Sequence, residues 1–285
     1  MKHGAPFSGL IVGSFELMKR KASAVTVGVI SFAMLAAVSS AFVQRKIDAI
    51  ETTLATHFSL SREELETTVQ QQVNTLSSLD MKEFIAAIED RGGSPSIDTA
   101  PTLPSDRIGI TYVARIGPFI AFMVLLDCVI AFVAFVYFLI LFSRGSISAY
   151  EASVVLPKYV ASTAFLLLWL FIRSLLWIPL LGPVIAVYFL PRMSLAPVIH
   201  ASGETGVLES ISASLQRTSH QWSTVFLRNI GILLVLGVLL WPAMVTVAAV
   251  SLFSIKIGYI LWLCALIAEI AFFCATQVML AAMLA

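Results

Sequence analysis

The sequence predicts an all-α polytopic membrane protein of about six transmembrane helices, with an extracytoplasmic helical insertion between the first and second. Three observations predict it. Hydrophobic residues make up 59% of the chain and Asp, Glu, Lys and Arg only 12%, about half the charged share of a soluble domain. Six segments meet or approach the ~20 apolar residues that cross a ~30 Å hydrocarbon core. Finally, the charges sort by segment: residues 44–107 hold eleven acids and six bases, whereas the segments that six crossings put beside the N-terminus hold nine bases and four acids.

Residues 1–22 contain Phe7, Leu10, Ile11, Phe15 and Met18 on one helical face, followed by Lys19-Arg20-Lys21. This reads as a cytoplasmic interfacial helix with a basic flank. Gly9 and Gly13 form a GxxxG pair in a segment too short to span. The first span covers 23–43 and is read as uncleaved, because no tidy small-residue cleavage site follows it.

The acidic stretch 44–107 is read as a structured extracytoplasmic segment. Ile47, Ile50, Leu54 and Phe58 continue a helical stripe, and Ser61 with Glu64, then Asp80 with Glu83, have the spacing of capping boxes. Leu65, Val69, Val73 and Leu76 line a second helix, Phe84, Ile85 and Ile88 mark a third, and Gly92-Gly93 precedes a proline-rich return over 94–106. Such a segment is either a cap that docks a partner or a hairpin that connects two spans.

The second span lies within 108–142, a cytoplasmic loop takes 143–158, and the third span is 159–178. Residues 179–200 form a proline-rich hairpin and the fourth span, punctuated by Pro179, Pro183, Pro191 and Pro197. Each proline removes a backbone donor, so this limb is expected to be kinked or broken. Residues 201–224 place Leu208, Ile211, Leu215 and Trp222 on one face, with Ser210, Ser212, Ser214, Gln216 and Arg217 largely opposite, an amphipathic cytoplasmic helix. The fifth span is 225–250 and the sixth lies in 251–285. An excess of Lys and Arg marks the cytoplasmic side, so both termini are expected there, in a bacterial inner membrane.

The stretch from Ile178 to Phe226 carries a proline-glycine hairpin (Pro179 to Pro183), Arg192, a small-residue run from Ser194 to Pro197, Glu204, and Glu209 with Ser214. In this it resembles prokaryotic polytopic membrane proteins related to the membrane domain of glycerophosphoryl diester phosphodiesterases, and the basic opening before the first span is similar too. The resemblance implies six helices and membrane residence. It supplies no activity, since the namesakes' phosphodiesterase chemistry resides in a separate soluble domain with no counterpart here. Within this stretch Arg192, Glu204 and Glu209 are candidates for a structural clamp across the bend or a lipid-headgroup site, and Glu209 in a first turn suits the helix dipole.

Arg115, Asp127, Arg173 and Glu269 fall in or beside apolar runs. A charge at mid-bilayer costs at least ~2.5 kcal/mol and is normally paired inside a bundle. The four therefore form a candidate intramembrane cluster, either an ion pair that fixes helix register or a proton or ion relay. Cys128, Cys264 and Cys274 lie in apolar runs as small hydrophobes, and His3, His57, His200 and His220 have no metal-site spacing. No catalytic, nucleotide or cofactor motif occurs. The expectation is a non-enzymatic scaffold, complex subunit or membrane-organising factor without cofactor. Its expected partners are membrane lipids and another membrane or periplasmic protein, or a second copy, and not nucleic acid. The alternative is a small transporter or channel subunit that works through Asp127, Arg173 and Glu269.

Overall fold

The computed structural model describes residues 6–78, 104–145, 147–175, 188–189, 191–203, 205–251 and 254–284, with side chains over the same residues except 72–78, 104–110, 170–175 and 255. All regular structure among the described residues is helical: α1 (Phe7–Arg20), α2 (Ala22–Phe58), α3 (Arg62–Ser78), α4 (Pro104–Ser143), α5 (Ala149–Leu175), α6 (Ala196–Ser202), α7 (Val207–Thr218), α8 (Trp222–Ser251) and α9 (Ile255–Leu284). Five of them, α2, α4, α5, α8 and α9, are long and apolar enough to cross a membrane. Their surfaces agree with that role. Val238 and Trp241 on α8 are 71% and 74% exposed, a degree of apolar exposure that water would penalise and hydrocarbon does not. Of the fourth span expected over 179–200, residues 179–187 and 190 lie outside the described residues, and the part that is described includes the short α6 with Pro197 in its first turn.

The chain divides into two compact units, one formed by Met1–Ala37 with Asp127–Ala285 and the other by Val38–Leu126. In the first, α1 lies against α9. Gly13 makes this possible, because a Cβ there would sit 2.6 Å from Met279 Cε, and Phe15 packs on Phe272 at 4.8 Å between ring centroids. Of the pair Gly9 and Gly13, only Gly13 is at a packing contact; Gly9 meets nothing closer than Pro6. Leu10 and Ser14 form the buried line of α1, while Phe7 and Phe15 stay largely exposed. The core continues through Val25, Tyr137, Phe138, Ile199 and Ala275. Gly28 brings α2 close to α4, since a Cβ would stand 2.8 Å from a Tyr137 ring carbon.

In the second unit, Val43, Ile47 and Leu54 of α2, Leu65 of α3 and Ile116 of α4 form a separate apolar cluster, with Ile50, Phe58 and Val69 against it. The chain reverses between α2 and α3 through Ser59 in the left-handed region (φ 56°) and a Leu60 N–H bond to the Ala55 carbonyl of 2.9 Å. The expected capping box then closes: Ser61 N–H donates to Glu64 Oε2 at 2.8 Å, and Glu64 N–H donates to Ser61 Oγ at 3.2 Å. The second expected box, Asp80 with Glu83, and the helix marked by Phe84, Ile85 and Ile88 lie outside the described residues.

Candidate functional site

At one end of the first unit gather the close of α4, the start of α5, the short helices α6 and α7, the start of α8 and the close of α9. Here three cations each engage the carbonyl end of a helix. Lys21 Nζ donates to the carbonyls of Leu141 and Arg144 at 2.6 and 2.9 Å, with Ile147 at 3.5 Å, where α4 runs out of intrahelical donors. Burial pushes the Lys21 ammonium below its usual pKa. Arg144 Nε donates to the Ala201 carbonyl at 3.0 Å, in the last turn of α6, while its guanidinium hydrogen-bonds the Tyr159 hydroxyl and lies 4.8 Å from that ring's centre. Arg192 Nη2 donates to the Leu215 carbonyl at 3.1 Å, in the last turn of α7, and Nη1 to the Tyr188 hydroxyl at 2.7 Å.

The last four carbonyls of a helix lack donors and carry the negative end of its dipole. A cation placed there satisfies oxygens that would otherwise be stranded, yet keeps its full net charge, because a dipole does not neutralise it. Gly203 ends α6 with φ +85°, and a Cβ there would lie 2.6 Å from Arg144 Nη2. Glycine is required twice over, by the backbone conformation and by the guanidinium above it.

Of the clamp candidates, Arg192 reaches the α7 carbonyl end, and its own carbonyl accepts from Ser214 Oγ at 2.6 Å and Thr218 Oγ1 at 3.3 Å. Glu209 turns to its own helix start, accepting from Gly206 N–H at 3.1 Å. Glu204 lies outside the described residues. The face of α7 also differs from the expected pattern. Ser210, Ser214 and Thr218 are fully buried beside Ile211, while Leu208 is 62% exposed. Small hydroxyls let α7 approach the chain at Arg192 and donate to its carbonyl, which an aliphatic face could not do.

Arg115 is exposed and belongs to the second unit, and the Arg173 side chain is outside the described ones. Asp127 and Glu269 each keep one buried oxygen without a hydrogen-bond partner, Oδ1 and Oε1 respectively. Other buried polar groups do meet. Asn229 bridges Ser194 Oγ (3.3 Å) and Gln277 Nε2 (2.9 Å), linking α8 to α9 and to the chain before α6. His200 Nε2 stands 2.8 Å from Ser162 Oγ, tying α6 to α5. No spacing in the sequence announces these pairs, because their members are 35, 48 and 38 residues apart.

The second unit carries its own polar centre. Arg62 Nη2 lies 2.7 Å from Glu51 Oε2 and 2.8 Å from Asp48 Oδ1, and its Nε 3.1 Å from Glu66 Oε1. Tyr112 of α4 donates to the other oxygen of Glu51 at 2.7 Å. The Glu51 side chain is only 8% exposed, so both its oxygens require these partners. Arg62 thus pairs with three carboxylates, all within the second unit.

No group of three His, Cys, Asp or Glu that could hold a metal occurs among the described residues. No family model, curated protein or solved structure matches the chain.

Proposed function

We propose that this chain is a non-enzymatic membrane scaffold of six spans, the sixth completed by the limb over 179–200. In this reading the helix ends held by Lys21, Arg144 and Arg192 face the cytoplasm of a bacterial cell, and the segment around Arg62 forms an extracytoplasmic cap that contacts a membrane or periplasmic partner. The observation that carries the reading is the length and locking of two helices. At 1.5 Å per residue, α2 and α4, with 37 and 40 residues, extend about 55 and 60 Å, roughly twice the ~30 Å hydrocarbon core. The surplus of α2 is held to α3 and α4 by the Arg62, Glu51 and Tyr112 contacts, a rigid platform where a mere connection needs none. The positive-inside tendency supports the orientation, and the resemblance of the stretch from Ile178 to Phe226 to membrane domains without chemistry of their own is in keeping with it.

The test is site-specific photocrosslinking from exposed positions 63 and 67 of α3 in intact membranes. A discrete adduct that disappears in Arg62→Met, with protein level unchanged, is expected. Identical crosslinks, or none, in both proteins remove the scaffold reading.

A second reading, a small transporter or channel subunit, is favoured by one observation, the unpartnered buried oxygens of Asp127 and Glu269. It requires that Asp127→Asn or Glu269→Gln abolish ion flux in proteoliposomes; equal flux in wild type and both variants would dismiss it.

A further inference from the structure

Between the break that separates α1 from α2 and the connection from α4 to α5 lies a cavity of about 400 Å³, within the size range of small-molecule sites. Its walls are graded. Arg20 and Lys21 stand at the break, Ile147 and Ser148 come from the connection, and Ala24 and Val27 continue down the first turns of α2, a helix apolar enough to cross a membrane. A cationic end thus passes within two helical turns into an apolar one.

The charge at the cationic end is not cancelled. Lys21 spends its donors on the carbonyls of Leu141, Arg144 and Ile147, which orient the ammonium without neutralising it. Arg20 is exposed, and no ion pair among the described residues involves it. Ser148 adds no free donor, because its N–H and hydroxyl are both taken by Glu151 Oε2 at 2.8 Å. That carboxylate repels an anion from the α5 side, so a ligand must gain its attraction from the two bases.

We propose that this cavity binds the phosphodiester headgroup of an anionic phospholipid. Arg20 contacts the phosphate, Lys21 supplies a fixed positive potential behind it, and Ala24 with Val27 begins the path of an acyl chain. A lipid fits both halves of the lining, whereas free phosphate uses only one and an apolar ligand leaves the charge unmet. The inference needs membrane residence alone and stands apart from the scaffold reading and its orientation.

The test is native mass spectrometry of the full chain in detergent with phosphatidylglycerol, with phosphatidylcholine of the same acyl chains, and with inorganic phosphate as a competitor. Wild type is expected to retain phosphatidylglycerol over phosphatidylcholine. Arg20→Gln should lower that preference about fivefold, the effect of one base near an anionic headgroup, and Val27→Trp should reduce retention of both lipids at unchanged helix content. Lys158→Gln removes a base outside the cavity and should change nothing. The proposal is overturned if Arg20→Gln keeps the preference, if Lys158→Gln lowers it as far as Arg20→Gln does, or if millimolar phosphate displaces the lipid from wild type.

Discussion

The two units satisfy their cations in opposite ways. In the unit of Val38–Leu126, Arg62 is surrounded by Asp48, Glu51 and Glu66, so charge meets charge and the cluster carries an excess of negative charge. In the other unit Lys21, Arg144 and Arg192 meet helix carbonyls and tyrosine hydroxyls, so charge meets dipole and the positive sign is left standing. The difference shows how a chain with a formal net charge of only +1 keeps two regions of opposed sign.

The two kinds of lock must fail differently. The largest effect is expected from Lys21→Met. It strands the Leu141 carbonyl and leaves that of Arg144 with only the Ile147 N–H at 3.3 Å, and should cost about 2–3 kcal/mol in reversible unfolding in mixed micelles, with little change between low and high salt, because the contacts are short and partly buried. Arg62→Met should cost about 2 kcal/mol by leaving the buried Glu51 carboxylate half-satisfied. That cost should shrink in 1 M salt, since the Arg62 side chain is 50% exposed. A salt dependence shared by both variants would erase the distinction. Tyr112→Phe should cost about 1 kcal/mol, the loss of one hydrogen bond.

The smallest effect is one of pH. The Ser61 N–H and hydroxyl hold the Glu64 carboxyl below its ordinary value of 4.5. A carboxyl with a depressed folded-state pKa stabilises fully above the unfolded value and loses that contribution as pH falls through the folded one. Amide exchange in the first turn of α3 should therefore quicken only below about pH 4.5, while the carbonyl contacts of Lys21 persist there. Equal loosening at both places would break the comparison from the other side.

What was legible in the sequence was what short range decides. The five helices long and apolar enough to cross a membrane follow from apolar runs, and the box of Ser61 and Glu64 follows from a three-residue spacing; both are fixed by neighbours along the chain. The stripe of Ile47, Ile50, Leu54 and Phe58 was legible for the same reason, because 3.6-residue periodicity is a local property. The candidate site was much less so. Arg192 invited a carboxylate or a phosphate as partner, and nothing in its surroundings pointed to the Leu215 carbonyl, because a backbone acceptor leaves no trace in residue identity. The buried Ser210, Ser214 and Thr218 escaped a reading that sorts faces by polarity, for the hydroxyls bond backbone carbonyls, those of Val207 and Arg192 among them. Lys21 and Arg144 act across 120 and 57 residues, a distance at which sequence pattern carries no information on contact.

The reversal between α2 and α3 sets an order of assembly. Its bonds join Ala55 to Leu60 and Ser61 to Glu64, and the Arg62 contacts reach back only as far as Asp48, so the hairpin can close while residues beyond α3 are still unmade. Contacts this local form fast and need no long loop to be paid for in entropy. The Tyr112 bond to Glu51, 61 residues apart, must wait for α4. During synthesis the pair α2 and α3 can close first with one carboxylate oxygen open, and α4 then adds the Tyr112 phenol and the Ile116 side chain.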